Sequence, residues 1–245
     1  MNETNAAIET TLRIPGNWSD PGELLKRIPK GFRLTPEALI FPDKTKIEFI
    51  PMPPDDQFAR IFESSCRHPA TPAEMEIVNS YTVNIGLSGP GGSLNAARTM
   101  MQAGAAIVQA GGAGVFIDNS GLAHGGGDWI EMAEDGSPDA VSFAFVSIVR
   151  GRDEVWTMGM HVPGLPDIVM QRADHDADGR ALIEVIRYLC NSENSMGDGH
   201  LLTDLDGPRF RAEAASDDEF DSGSPMHNPF GRLRLVSIKD IAERN

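Results

Sequence analysis

Apolar and polar residues alternate through Val83, Ile85 and Leu87, set against Thr82, Asn84, Gly86 and Ser88. A period of two with β-branched residues predicts a half-buried strand. The Gly-Pro-Gly-Gly of residues 89–92 must then turn the chain. Beyond it the period changes. Leu94, Ala97, Met101, Ala105 and Val108 fall on one face at helical spacing. Residues 94–110 are rich in Ala, Met and Gln, good helix formers, with Gly104 as the internal exception. Ser93 is placed to cap this helix and Gly111-Gly112 to end it. Residues 114–118, GVFID, read as a second, more internal strand. Such a strand–helix–strand run closes as a right-handed parallel crossover unless another strand intervenes.

The same reading extends to both sides. Residues 10–14 are a short strand, and Asp20-Pro21 starts a helix through about residue 28. Residues 32–41 and 45–51 read as strands around a turn at 42–44. Residues 56–64 suit either a helix or a strand. Thr71-Pro72-Ala73-Glu74 is a capping box that opens a helix. Residues 128–133 make one helical turn. Residues 141–150, 154–161 and 168–171 read as strands linked by tight turns, hence antiparallel. A helix over 179–190 follows, then short strands at 201–203 and 210–212. An acidic, Ser-, Gly- and Pro-rich loop over 214–229 is expected to be mobile. An alternating strand at 231–238 closes the pattern. Together these elements predict an α+β fold: a mainly antiparallel sheet, helices on one face, and split βαβ (ferredoxin-like) units, two of them joined. Residues 1–80 form a βαββ segment packed on a main domain of residues 81–245.

Charge narrows the function classes. The 245 residues carry a formal net charge of -15. That field repels a phosphate backbone, so nucleic acid is not an expected partner. No apolar run approaches the ~20 residues of a membrane helix. Residues 1–16 have neither the basic nor the apolar region of a signal peptide. Two distant cysteines, Cys66 and Cys190, fit reduced thiols in a cytoplasm.

Several motifs resemble chemistry. Gly89, Gly91, Gly92 and Ser93 sit between strand and helix as an anion or nucleotide loop does, with Asp118 where a ribose-binding acid would stand. Leu94 replaces the third glycine, and the long antiparallel section contradicts a Rossmann sheet. His124-Gly125-Gly126-Gly127 mimics an esterase oxyanion loop, but no Gly-x-Ser-x-Gly elbow follows. Asn119, Ser120, His124, Asp128 and Trp129, with His161 from a later strand, outline a pocket on a glycine-rich loop. His124, Asp128 and His161 are residue types that suit a transition metal. Asp174, Asp176 and Asp178 with Gly179 match the first half of a calcium loop, though Val185 stands where the bidentate acid should be. The competing reading makes Asp178 a helix cap. No cofactor is required by these motifs; calcium or a transition metal is the one weighed.

AARTMMQAGAAIVQAGGAGVFIDNSGLAH, then WTMGMHVPGLPDI, then GDGHLLTD make residues 80–212 resemble a bacterial domain-of-unknown-function family, number four-two-six-one. Members carry a glutamate after the Gly-x-Pro turn, where Asp167 stands here. The resemblance implies no activity and transfers no catalytic residue. Two functions follow. The first is a non-catalytic module that recognises another protein, a basic one given the acidic surface. The second is a small-molecule, nucleotide or metal-binding enzyme with a pocket at residues 119–129 and 156–161.

Overall fold

The computed structural model describes residues 8–178, 180–192, 196–204, 207–216 and 220–238. β1 (Glu9–Gly16) leads to α1 (Pro21–Arg27), whose cap Asp20 accepts a hydrogen bond from Glu23 N. β2 (Arg33–Leu34), β3 (Ala38–Ile40) and β4 (Lys46–Met52) follow. The strand expected over 32–41 is thus broken at Thr35-Pro36, because proline cannot donate to a ladder. α2 (Phe58–Ser65) resolves the ambiguous segment as helix, and α3 (Pro72–Ser80) opens on the complete Thr71–Glu74 capping box. β5 (Val83–Pro90), α4 (Leu94–Gln109) and β6 (Gly114–Ile117) form the expected central unit.

In that unit β1 is the intervening strand. Leu12 lies opposite Leu87 on one side and Ile117 on the other, and both pairings are antiparallel. β5 and β6 are therefore parallel to each other with β1 between them, a split βαβ. β7 (Leu122–Gly125) completes a seven-stranded antiparallel sheet ordered β2-β3-β4-β5-β1-β6-β7. A chain boundary at residue 80 would cut through this sheet. The sheets divide the chain near residue 146 instead, because β1 needs β5 and β6 to satisfy both its edges.

α5 (Gly126–Asp135) and α6 (Pro138–Phe145) lie beside α4 over the sheet. Leu12, Ile14, Ile85 and Leu87 meet Ala97, Met100, Met101 and Ile107 in one core. Full burial of each Leu or Ile is worth ~1.5–3 kcal/mol. α2 and α3 cover the other face near β6 and β7, where Phe58, Phe62 and Val78 pack with Ala123 and Phe116.

The second sheet is six-stranded, ordered β11-β12-β13-β10-β9-β8. It comprises β8 (Ser147–Arg150), β9 (Glu154–Met158), β10 (Asp167–Gln171), β11 (Leu201–Asp204), β12 (Gly207–Ala215) and β13 (Arg232–Ser237). Among the described residues of this sheet, only β10 and β13 pair in parallel. α7 (Arg172–Asp178) follows β10, and α8 (Ala181–Asn191) sets Leu182, Val185, Ile186 and Leu189 on Ile168, Met170 and Leu235. The architecture is α+β and mainly antiparallel. Among the described residues, no helix is long and apolar enough to cross a membrane.

Two further expectations are corrected. The strand at 141–150 is helix α6 followed by β8. Ser137 caps α6 by accepting from Ala140 N, with Pro138 in its first turn. The 214–229 loop is not free along its described length. Residues 220–231 form a strap fastened to both sheets, as set out below; residues 217–219 lie outside the described residues.

Candidate functional site

α5 has one locked face and one unlocked. Trp129 is fully buried and donates from Nε1 to Met101 O at 3.0 Å. Gly104 makes room for it: a Cβ there would stand 2.7 Å from the indole nitrogen. At the helix start, Gly127 N donates to Glu74 Oε1 at 3.0 Å, so α3 supplies the anion that the α5 N-terminus favours.

The outer face of α5 carries Asp128, Glu131, Glu134 and Asp135, and α6 adds Asp139; residues 126–145 contain no Lys or Arg. Glu131 therefore has acids at i−3, i+3 and i+4. Like charges at such spacing repel by ~0.2–0.5 kcal/mol per pair. Glu134 and Asp135 also occupy the last turn, where the macrodipole disfavours anions. Some of these charges are answered. Asp128 Oδ2 lies 3.2 Å from His68 Nδ1. Asp135 accepts from Ser137 N. Asp139 meets Arg187 at 2.9 Å and accepts from Asn191 Nδ2 at 2.8 Å. Arg98 of α4 donates to Gly136 O at 2.6 Å, just past the helix end. The side chains of Glu131 and Glu134 have no ion pair or hydrogen bond among the described residues.

Glu131, Asp135 and Asp139 border a cleft of about 540 Å³ between α5, α6 and α8. Its floor is Met132, Phe143, Val146, Ile148, Ile183 and Ile186. Ile183 is 42% exposed although it is apolar. Arg67 reaches into the cleft, donates to Val146 O, and lies 4.5 Å over the Phe143 ring. The arrangement offers apolar surface beside uncompensated negative charge.

A second polar cluster joins the sheets. Asn119 Oδ1 accepts from Thr11 N at 2.9 Å, and Nδ2 donates to Glu9 O at 2.9 Å and Pro225 O at 3.0 Å. His161 Nε2 lies 3.0 Å from Asn119 Nδ2 and 3.1 Å from Pro225 O. Asn119 spends its two hydrogens on the two carbonyls, so Nε2 carries the proton and donates to Pro225 O. Burial pushes the His161 pKa down to about 4, so the ring is neutral at pH 7. Nearby, Asp167 accepts from Thr157 Oγ1 at 2.9 Å and Asn228 Nδ2 at 2.8 Å. Burial raises its carboxyl to about 6, against the pull of those donors. Pro225 and Asn228 belong to the strap, which is why the strap is held. Beside it lies a polar cavity of about 490 Å³ lined by Glu9, Thr11, Asp118, His161, Ser224 and His227.

The six residues expected to share a pocket are thus divided. Asn119 and His161 meet. Ser120 is buried next to Asn119, and its carbonyl accepts from Ser147 Oγ at 3.0 Å. His124 faces the Trp129 and Phe143 rings and donates from Nε2 to Ala144 O at 2.9 Å; burial drives its pKa down to about 4. Asp128 lies outward beside His68. Among the described residues, no three His, Cys, Asp or Glu side chains are grouped to hold a metal.

The glycine loop before α4 spends its amides within the fold. Gly91 N donates to Ile8 O and Gly92 N to Val162 O, and Ser93 Oγ accepts from Ala96 N as a cap. The half calcium loop is helix α7 rather than loop. Residues two apart on a helix point to nearly opposite sides, so Asp174 and Asp176 cannot converge on one ion as loop ligands do. Asp176 pairs with Arg172 at 3.2 Å; the side chain of Asp178 and residue Gly179 lie outside the described residues. Both cysteines are free, with burial pushing Cys190 up to about 12 and raising Cys66 as well.

A further apolar groove of about 580 Å³ lies between α1 and β4, with Trp18, Leu24, Phe49 and Ile85 among its lining. Its rim acid, Asp20, is already committed to capping α1. Comparison with family models, curated proteins and solved structures finds no match to this chain. The cleft residues Arg67, Glu131, Phe143 and Ile183 were not among the residues the sequence pointed to. The acid spacing of α5 was the available signal for them.

Proposed function

We propose that the protein is a non-catalytic protein-interaction module whose working surface is the cleft between α5, α6 and α8. The observation that carries this reading is an apolar floor with Ile183 exposed, bordered by Glu131, whose side chain has no partner among the described residues and three like-charged neighbours. A surface kept this way costs stability in the free protein and gains only when something else covers it. Most polar groups of the inter-sheet cluster, by contrast, are consumed in holding the fold together, with His161 Nδ1 and Ser120 Oγ left over.

The test is site-specific photo-crosslinking in native lysate. A photoreactive residue at Ile183 should give a discrete protein adduct. The same residue at Ile50, an exposed apolar position on the first sheet, should give none. Equal adducts from both positions, or none from Ile183, would overturn the reading. A second reading, small-molecule binding, is favoured by the polar cavity beside neutral His161. It requires a ligand that raises the melting temperature and loses that effect in His227→Ala.

A further inference from the structure

We infer that the occupant of the cleft is a basic amphipathic helix, with its apolar ridge on the floor and its Lys or Arg residues facing α5. The inference rests on the protein-interaction reading and specifies the chemistry of the partner. Two features lead to it. The first is the walls. α5, α6 and α8 form most of the cleft, and their backbone groups are bonded within the helices. A segment lying against them finds no row of free donors and acceptors, so it must satisfy its own backbone, as a helix does. The second is charge. Glu131 and Asp135 stand one turn apart where α5 lines the cleft, and neither has an ion pair among the described residues. A partner carrying cations at the same spacing would remove the repulsion along α5 and oppose the negative end of its dipole. Of the cations already lining the cleft, Arg187 is paired with Asp139, while Arg67 has no ion pair among the described residues and instead donates to Val146 O and lies over the Phe143 ring.

β8 is the exception, since it is an edge strand whose Ile148 reaches the cleft. An extended peptide could add to that edge, and the experiment separates the two modes. Three synthetic peptides of equal length are titrated into the full chain by fluorescence anisotropy. One has Lys and Leu at helical spacing, one has the same residues strictly alternating, and one has Glu and Leu at helical spacing. The helical Lys/Leu peptide should bind at least tenfold more tightly than either other peptide, and its affinity should fall as salt rises.

Two variants at exposed positions localise the binding. Glu131→Lys should weaken the Lys/Leu helix tenfold or more. Ile183→Asp should also weaken it tenfold. Non-specific attraction to an acidic protein predicts the opposite for Ile183→Asp, because that change adds negative charge. Equal or tighter binding of the alternating or acidic peptide overturns the inference. So does wild-type affinity in both variants. If Ile183 crosslinks a protein in lysate but the Lys/Leu helix does not bind, the interaction reading stands and this inference alone falls.

Discussion

At the junction between the sheets, Asn119, His161, Asp167 and Asn228 are buried and bonded to one another or to backbone. On α5, Glu131 and Asp135 stand in solvent beside an apolar floor with no cationic partner among the described residues. Both regions are polar and both lie where the two halves of the chain approach. They differ in whether the polarity is spent. A buried group whose donors and acceptors are matched fixes one arrangement, since any alternative strands it away from water. An exposed like-charge row fixes nothing in the free protein. Mutation should therefore damage stability at the first region and binding at the second.

The largest expected effect is at the junction. Asn119→Ala removes the side-chain partners of Thr11 N and Glu9 O together, and one of the two donors to Pro225 O. A loss on the order of 3 kcal/mol is expected in urea unfolding, since stranding each buried group costs about 1–3 kcal/mol. A loss near zero would show that the junction is not a fastener. Next is the locked face of α5. Gly104→Ala should gain about 1 kcal/mol of helix propensity and still destabilise, by roughly 1–3 kcal/mol in net, because the added methyl meets the Trp129 indole. A shift in tryptophan fluorescence should accompany it.

The pH dependence of the junction sharpens the comparison. His124 and His161 fall from 6.5 to about 4 on folding, so they contribute stability that is present above pH 6.5 and lost as pH falls through about 4. Asp167 rises from 3.8 to about 6, so its contribution is present below about pH 3.8 and lost as pH rises through about 6. Between pH 6 and 4 the two oppose each other. Asp167→Asn removes the opposing member, so the acid loss of stability should steepen by up to ~1.4 kcal/mol per pH unit. An unchanged slope would contradict the assignment. The smallest effect is on the unlocked face. Glu131→Lys turns repulsion with Asp128, Glu134 and Asp135 into attraction and should stabilise the protein by roughly 0.5–1 kcal/mol.

How much of this was legible in the sequence follows from the reach of each interaction. β5, α4 and β6 were legible because Val83, Ile85 and Leu87 change to Leu94, Ala97 and Met101 across one glycine turn, a local signal. α3 was legible from its capping box. α6 was not. Val141, Phe143 and Phe145 alternate as a strand would, yet Val141 and Phe145 enter the core and Phe143 faces the cleft. Burial on more than one side hid the helical period, and the Ser137-Pro138 start signal was outweighed by the apolar run. Of the residues expected in one pocket, the structure sets Asn119 beside His161 and His124 beside Trp129. Their separation depends on β7 carrying His124 away from the turn that holds Asn119. The strap was read as loop because Pro225 and Asn228 find their partners more than sixty residues away. The α5 acids were visible in the chain, while the lack of an ion pair to Glu131 among the described residues exists only in three dimensions.

The most direct measurement takes wild type and Glu131→Lys in one buffer and records the melting temperature and the affinity for the helical Lys/Leu peptide for each. The account predicts that the variant melts higher and binds at least tenfold more weakly. A variant that melts higher and binds as wild type does would contradict it.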